Sequence, residues 1–186
     1  MPHPLDAPEY AQKLTLMRTV SLGMMAVIAV VSVGFALVVF YALDGVPLAG
    51  NRLTVGNVSV LALAGVAGTP FVPLAAYLAG RAKRAALVGR MALDHPEVVG
   101  PDADAERLVN AYAGGQFTES AAAFSYSLFL AIVFHVISSP LLLGCIAVMV
   151  LFLAARFPFT GRVKGWFDAQ LTALQAGRRA SGTPPR

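Results

Sequence analysis

The sequence predicts an all-α membrane protein: a four-helix transmembrane bundle of two helical hairpins, with short amphipathic cytoplasmic helices. Composition, the length of the uncharged runs and the placement of Lys and Arg carry that prediction. Of the 186 residues, 57% are hydrophobic and 13% are charged, about half the charged share of an average soluble domain. A mean hydropathy of +0.68, with only 14 basic and 10 acidic side chains, excludes the polar surface of a water-soluble enzyme. A single membrane domain over residues 1–186 follows.

Val20 to Leu43 holds no charge over 24 positions. As a helix it reaches about 36 Å, enough to cross a hydrocarbon core of about 30 Å with some tilt. It exceeds the 7 to 15 apolar residues of a typical cleaved signal core, so residues 20–43 form the first span. Val55 to Gly80 is the second uncharged run and the second span. Pro70 and Pro73 lie within it and lack backbone N–H groups, which predicts a bend. Ser120 to Ala155 is uncharged for 36 positions, about 54 Å as one helix and too long for a single crossing. Ser138, Ser139 and Pro140 supply the break, because serine caps a new helix and proline suits its first position. Spans of about 117–137 and 140–156 result, with Arg156 snorkelling to the headgroups. Gly23, Gly34, Gly56, Gly65 and Gly68 read as helix-packing positions.

Thirteen of the 14 Lys and Arg residues lie in the N-terminal arm, the loop 81–116 or the C-terminal tail, and only Arg52 lies on the other side. The positive-inside rule then places both termini and that loop in the cytoplasm. One cysteine, Cys145, excludes an intrachain disulfide, and with three histidines no zinc cluster is expected. No cofactor motif and no nucleic-acid motif accompanies the basic residues.

In the cytoplasmic parts, Arg81 to His95 extends the second helix, and Pro96, Gly100 and Pro101 end it. Asp102 or Asp104 caps a connector helix that Gly114 and Gly115 terminate. Val163, Trp166, Phe167, Leu171 and Leu174 line one face of a helix at about 161–177. With Arg162, Lys164 and Trp166 it suits an anionic lipid surface. The alternative is that its stripe packs on the protein's own central loop. The first eight residues and Ser181 to Arg186 are expected to be disordered.

Glu119 is the one carboxylate touching a predicted span, which makes it the leading functional candidate. It falls about 12 Å from the middle of its helix, near the headgroups, where hydration and the positive end of the helix dipole favour its charge. Counting outward from the Ser138–Ser139 turn, Glu119 and Arg156 differ by two positions, about 3 Å of rise. Antiparallel neighbours would bring them to one depth, available for an ion pair contributing about 0 to 1 kcal/mol. Ser120, Ser127, Ala131 and Ser138 share a narrow sector of the third span, with His135 beside it. Such a stripe serves close helix packing or a polar pathway.

The run Glu119, Ser120, Ala121, Ala122, Ala123, Phe124, followed by Arg156, Phe157, Pro158, Phe159, Thr160 and the segment Val163 to Trp166, carries a resemblance. It resembles small uncharacterised four-helix bacterial integral-membrane proteins, which are likened in turn to the proteolipid c subunit of rotary ATPases. For the c subunit the likeness implies proton or sodium transfer at Glu119. That family's carboxylate is at mid-helix and its preceding helix carries a dense glycine repeat, and neither is matched here. The expected function is a structural or interaction module, not an enzyme, acting through helix packing, homo-oligomerisation or contact with another membrane protein. The alternative is an ion or small-molecule translocator using Glu119 and the serine stripe.

Overall fold

The computed structural model describes residues 3–42, 54–55, 58–93 and 101–180, and they are almost entirely helical. A 3-10 turn, Pro4–Asp6, precedes α1 (Pro8–Leu37), which runs into one turn of π-helix at Val38–Ala42. Two short strands, β1 (Thr54–Val55) and β2 (Val58–Ser59), pair antiparallel with Thr54 opposite Ser59. Then come α2 (Val60–Leu93), α3 (Pro101–Ile137), α4 (Pro140–Ala155) and α5 (Thr160–Ala180). Three helical stretches, Pro8–Tyr41, Val60–Met91 and Asp104–Ile137, are long and apolar enough to cross a membrane, and a fourth crossing exists if α4 and α5 form one broken span. This is the make-up of a multi-pass membrane protein.

The chain divides into two compact units. One comprises Val20–Tyr77 and Glu119–Phe157. Its apolar core joins Ile28 and Val39 to Leu130 and Phe134 of α3 and to Leu142 and Met149 of α4, with Leu61, Val66 and Val72 of α2 partly buried against them. Leu22, Val27, Val30, Val33 and Leu37 of α1 are exposed, a surface suited to acyl chains. Gly65 and Gly68 serve close packing: a Cβ at Gly65 would lie 3.0 Å from Leu130 and Leu142, and one at Gly68 would run into the Tyr126 hydroxyl. Gly23 and Gly34, read from sequence as packing positions, meet nothing within 4 Å of such a Cβ. Among the described residues, neither stands at a close helix approach.

The other unit comprises Met1–Thr19, Leu78–Thr118 and Pro158–Arg186. Leu5, Tyr10 and Leu14 meet Met91, Leu108, Val109 and Tyr112, and Val163, Phe167 and Leu174 of α5 complete the core. The apolar stripe of α5 is thus covered by the protein itself. Polar side-chain contacts fasten this unit: Lys164 pairs with Asp6 at 2.7 Å and Lys13 with Glu106 at 2.9 Å, and His3 Nε2 hydrogen-bonds Asp168 Oδ1 at 2.9 Å. The Leu5 N–H donates to His3 Nδ1 at 3.1 Å, so Nε2 carries the ring proton that points at Asp168. The arm expected to be disordered is therefore held from residue 3 onward, because Leu5 is 2% exposed and its neighbours on either side are tied to α5.

The structure departs from the sequence expectations at four further places. The connector helix and the third span are one helix: α3 is continuous for 37 residues. Gly114 and Gly115 do not end it. A Cβ at Gly115 would stand 2.8 Å from the Gly80 carbonyl oxygen, so the glycine is needed where α2 and α3 approach, and it leaves the helix intact. Helix two begins at Val60, after the strand pair; Pro70 and Pro73, where a bend is expected, lie inside it. Ser139 occupies the N-cap of α4 without a side-chain cap bond; the chain leaves α3 through Ser138, at φ 60°, and Pro140 opens the new helix. Gly56, Arg52, Pro96, Gly100 and the tail from Ser181 lie outside the described residues.

Candidate functional site

Glu119 and Arg156 meet in the first of these units. Arg156 comes at the C-terminal end of α4, where its backbone N–H closes the last turn on Phe152 O at 2.9 Å. From there the guanidinium donates from Nε to Glu119 Oε2 at 2.8 Å and from Nη2 to Oε1 at 3.3 Å. Both carboxylate oxygens are engaged in the two-pronged geometry that a planar guanidinium favours. The same cation lies over the ring of Tyr77, 4.9 Å from its centre, within cation–π range.

The setting of the carboxylate corrects the sequence expectation. Glu119 is 0% exposed, whereas Arg156 retains 26%. Because α3 starts at Pro101, Glu119 is in the middle of a long helix, so neither bulk hydration nor the helix N-terminus favours its charge. The guanidinium does that instead. A buried carboxylate without a cation costs several kcal/mol, so the pair holds α3, α4 and, through Tyr77, α2 in one arrangement.

The polar stripe of α3 faces inward. Ser120 and Ser127 are buried, and Ser127 Oγ donates to Ala123 O of its own helix at 2.8 Å. Ala131, one turn further along α3 than Ser127, is fully buried. His135 stacks on Phe35 with ring centres 4.7 Å apart. These residues lie along one stretch of α3 and the turn after it, where His135 Nδ1 and Ser138 Oγ are buried without a hydrogen-bond partner among the described residues. Their contacts are those of helix packing.

Two further elements escaped sequence reasoning. Tyr77 looked like one more apolar-span residue; an aromatic ring near the end of the second uncharged run was the available signal. Tyr126 Oη donates to Gly65 O at 2.6 Å, a contact that its place beside Ser127 hinted at without naming its acceptor. In the other unit, Lys164 is engaged by Asp6 and the Trp166 ring tilts against Tyr112 at 5.3 Å. Of the three residues assigned to lipid, Arg162 is the exposed one. No protein-family model, no curated protein and no solved structure matches the chain.

Proposed function

We propose that the chain is a structural or interaction module of a bacterial inner membrane. In this reading it is a four-helix bundle of two hairpins, with both termini and the 81–116 segment in the cytoplasm, that works by helix packing, self-association or contact with another membrane protein. The observation that carries the reading is the pairing of Glu119. Glu119, the one carboxylate among the described residues of that unit, has both oxygens engaged by Arg156, and Ser120, Ser127 and Ala131 of the stripe are buried in the helix packing. The polar groups therefore hold helices together. A translocator would need an acid able to exchange its cation, and the bidentate pairing speaks against that role for Glu119. The orientation rests on the thirteen-to-one distribution of Lys and Arg.

The test is the mass and company of the full chain extracted in mild detergent and transferred to lipid nanodiscs. A defined oligomer, or a stoichiometric membrane-protein partner, is the expected result. A solitary monomer that passes protons or sodium in proteoliposomes, with flux lost in Glu119→Gln, would overturn the reading. Orientation is read separately by a cysteine at position 186 in a Cys145→Ala background. It should resist an impermeant thiol reagent in intact cells and react after permeabilisation.

A further inference from the structure

Within one stretch of α2 the backbone ladder is thinned in an ordered way. Pro70 and Pro73 have no N–H, so the carbonyls of Val66 and Thr69 lose their usual donors four residues on. Between glycine and proline, Thr69 turns its hydroxyl back and donates from Oγ1 to Gly65 O at 2.8 Å, a habit that bends helices and loosens their ladder. Gly65 and Gly68 add the most permissive backbone to the same stretch. Four features that weaken a helix therefore occupy nine residues of one membrane-type span, yet the helix is continuous there.

What fastens it comes from α3. The Tyr126 hydroxyl donates to Gly65 O at 2.6 Å, onto the same carbonyl that Thr69 uses. It enters a notch that exists because Gly68 has no side chain: a Cβ there would collide with the Tyr126 oxygen and lie 3.0 Å from the ring carbon that bears it. Below this contact Tyr126 stacks on Phe129 with ring centres 5.8 Å apart, which limits where the hydroxyl can point.

We infer that residues 65–73 of α2 are a hinge and that the Tyr126 hydroxyl, seated in the Gly68 notch on the Gly65 carbonyl, is the latch that holds it in the conformation seen. Opening the latch frees the segment from Val60 to Thr69 to swing on the two prolines, lifting Leu61 and Val66 from the core while α3 and α4 keep their packing on each other. The device goes beyond the structural reading of Glu119 and is independent of it, since none of its groups touches that pair.

Hydrogen exchange of the full chain in lipid nanodiscs tests it, followed in the peptide covering residues 65–74. Tyr126→Phe removes one hydroxyl and keeps the ring. A side-chain hydrogen bond inside a membrane protein contributes enough to slow local opening by about 3-fold on average and by up to about 20-fold. Exchange in that peptide should therefore accelerate by about 3-fold or more, while peptides of α4 stay unchanged. Pro70→Ala with Pro73→Ala restores two donors, so exchange there should fall below wild type. Adding Tyr126→Phe to that background should then change little. Unchanged exchange in Tyr126→Phe, an equal acceleration across α3 and α4, or a full-sized effect with both prolines replaced would each overturn the hinge. So would faster exchange in the proline double variant alone.

Discussion

Removing either partner of the Glu119–Arg156 pair should have unequal consequences, and the inequality follows from burial. Arg156→Met leaves a carboxylate that is 0% exposed with its guanidinium gone. Stranding a buried charge in this way costs about 3–5 kcal/mol. Glu119→Gln leaves the opposite orphan, a guanidinium already 26% exposed and resting on Tyr77. It can turn toward water, so the loss is that of its charge-assisted hydrogen bonds, about 1.5 kcal/mol. Double replacement by Glu119→Gln and Arg156→Met strands no charge and should recover most of the Arg156→Met loss. For a chain of this length each kcal/mol moves the melting temperature by about 2–4 °C. Arg156→Met should therefore lower it by at least about 6 °C and Glu119→Gln by about 3–6 °C. The assay is thermal unfolding of the detergent-solubilised chain followed by size-exclusion chromatography or circular dichroism. Equal losses, the reverse order, or a double variant no better than Arg156→Met would refute the reasoning.

Gly115→Ala should destabilise the chain by about 1–3 kcal/mol, because its Cβ would stand 2.8 Å from the Gly80 backbone oxygen. Gly114→Ala, whose nearest contacts would be 3.6 and 3.7 Å, should raise stability by about 0.5–1 kcal/mol through helix propensity; melting temperatures of the two variants compare them directly. Asp6 accepts a hydrogen bond from Lys164, which holds its carboxyl below the ordinary 3.8. A depressed acid contributes its stability in full above the unfolded value and loses it as pH falls through the folded one. The arm should stay clasped to α5 from pH 7 to 5 and open only below about 3.8. Fluorescence of the lone Trp166 across that range checks it, with Asp6→Asn as the variant lacking the transition.

What the sequence made legible is what the bilayer and the charge pattern impose over long stretches. Uncharged runs of 24 and 36 residues force helices and a reversal, and Ser138–Pro140 is where the chain turns from α3 into α4. The juxtaposition of Glu119 and Arg156 was legible too, because both distances were counted along rigid helices from one turn. Boundaries that depend on three-dimensional contact were not. Gly114–Gly115 has the local chemistry of a helix stop, and only the approach of Gly80 and Arg84 reveals it as a crossing point inside a continuous helix.

The same difference explains why the burial of Glu119 was misjudged. The uncharged run begins at Ser120, so the sequence puts the acid at the edge of the span, where water would hold its charge. Helix α3 instead continues for 18 residues before it, from Pro101, so the positive end of its own dipole is too far away to favour the charge. The charge then depends on the guanidinium delivered by the last turn of α4. A hydrated rim pair would contribute about 0 to 1 kcal/mol and tolerate loss of either member. A bidentate pair around a fully buried carboxylate is asymmetric, intolerant of losing its cation, and specific about which helix end comes near. Its burial turns an ordinary interfacial ion pair into a determinant of how α3 and α4 fit together, and that makes the order of the two single variants the most informative measurement on this protein.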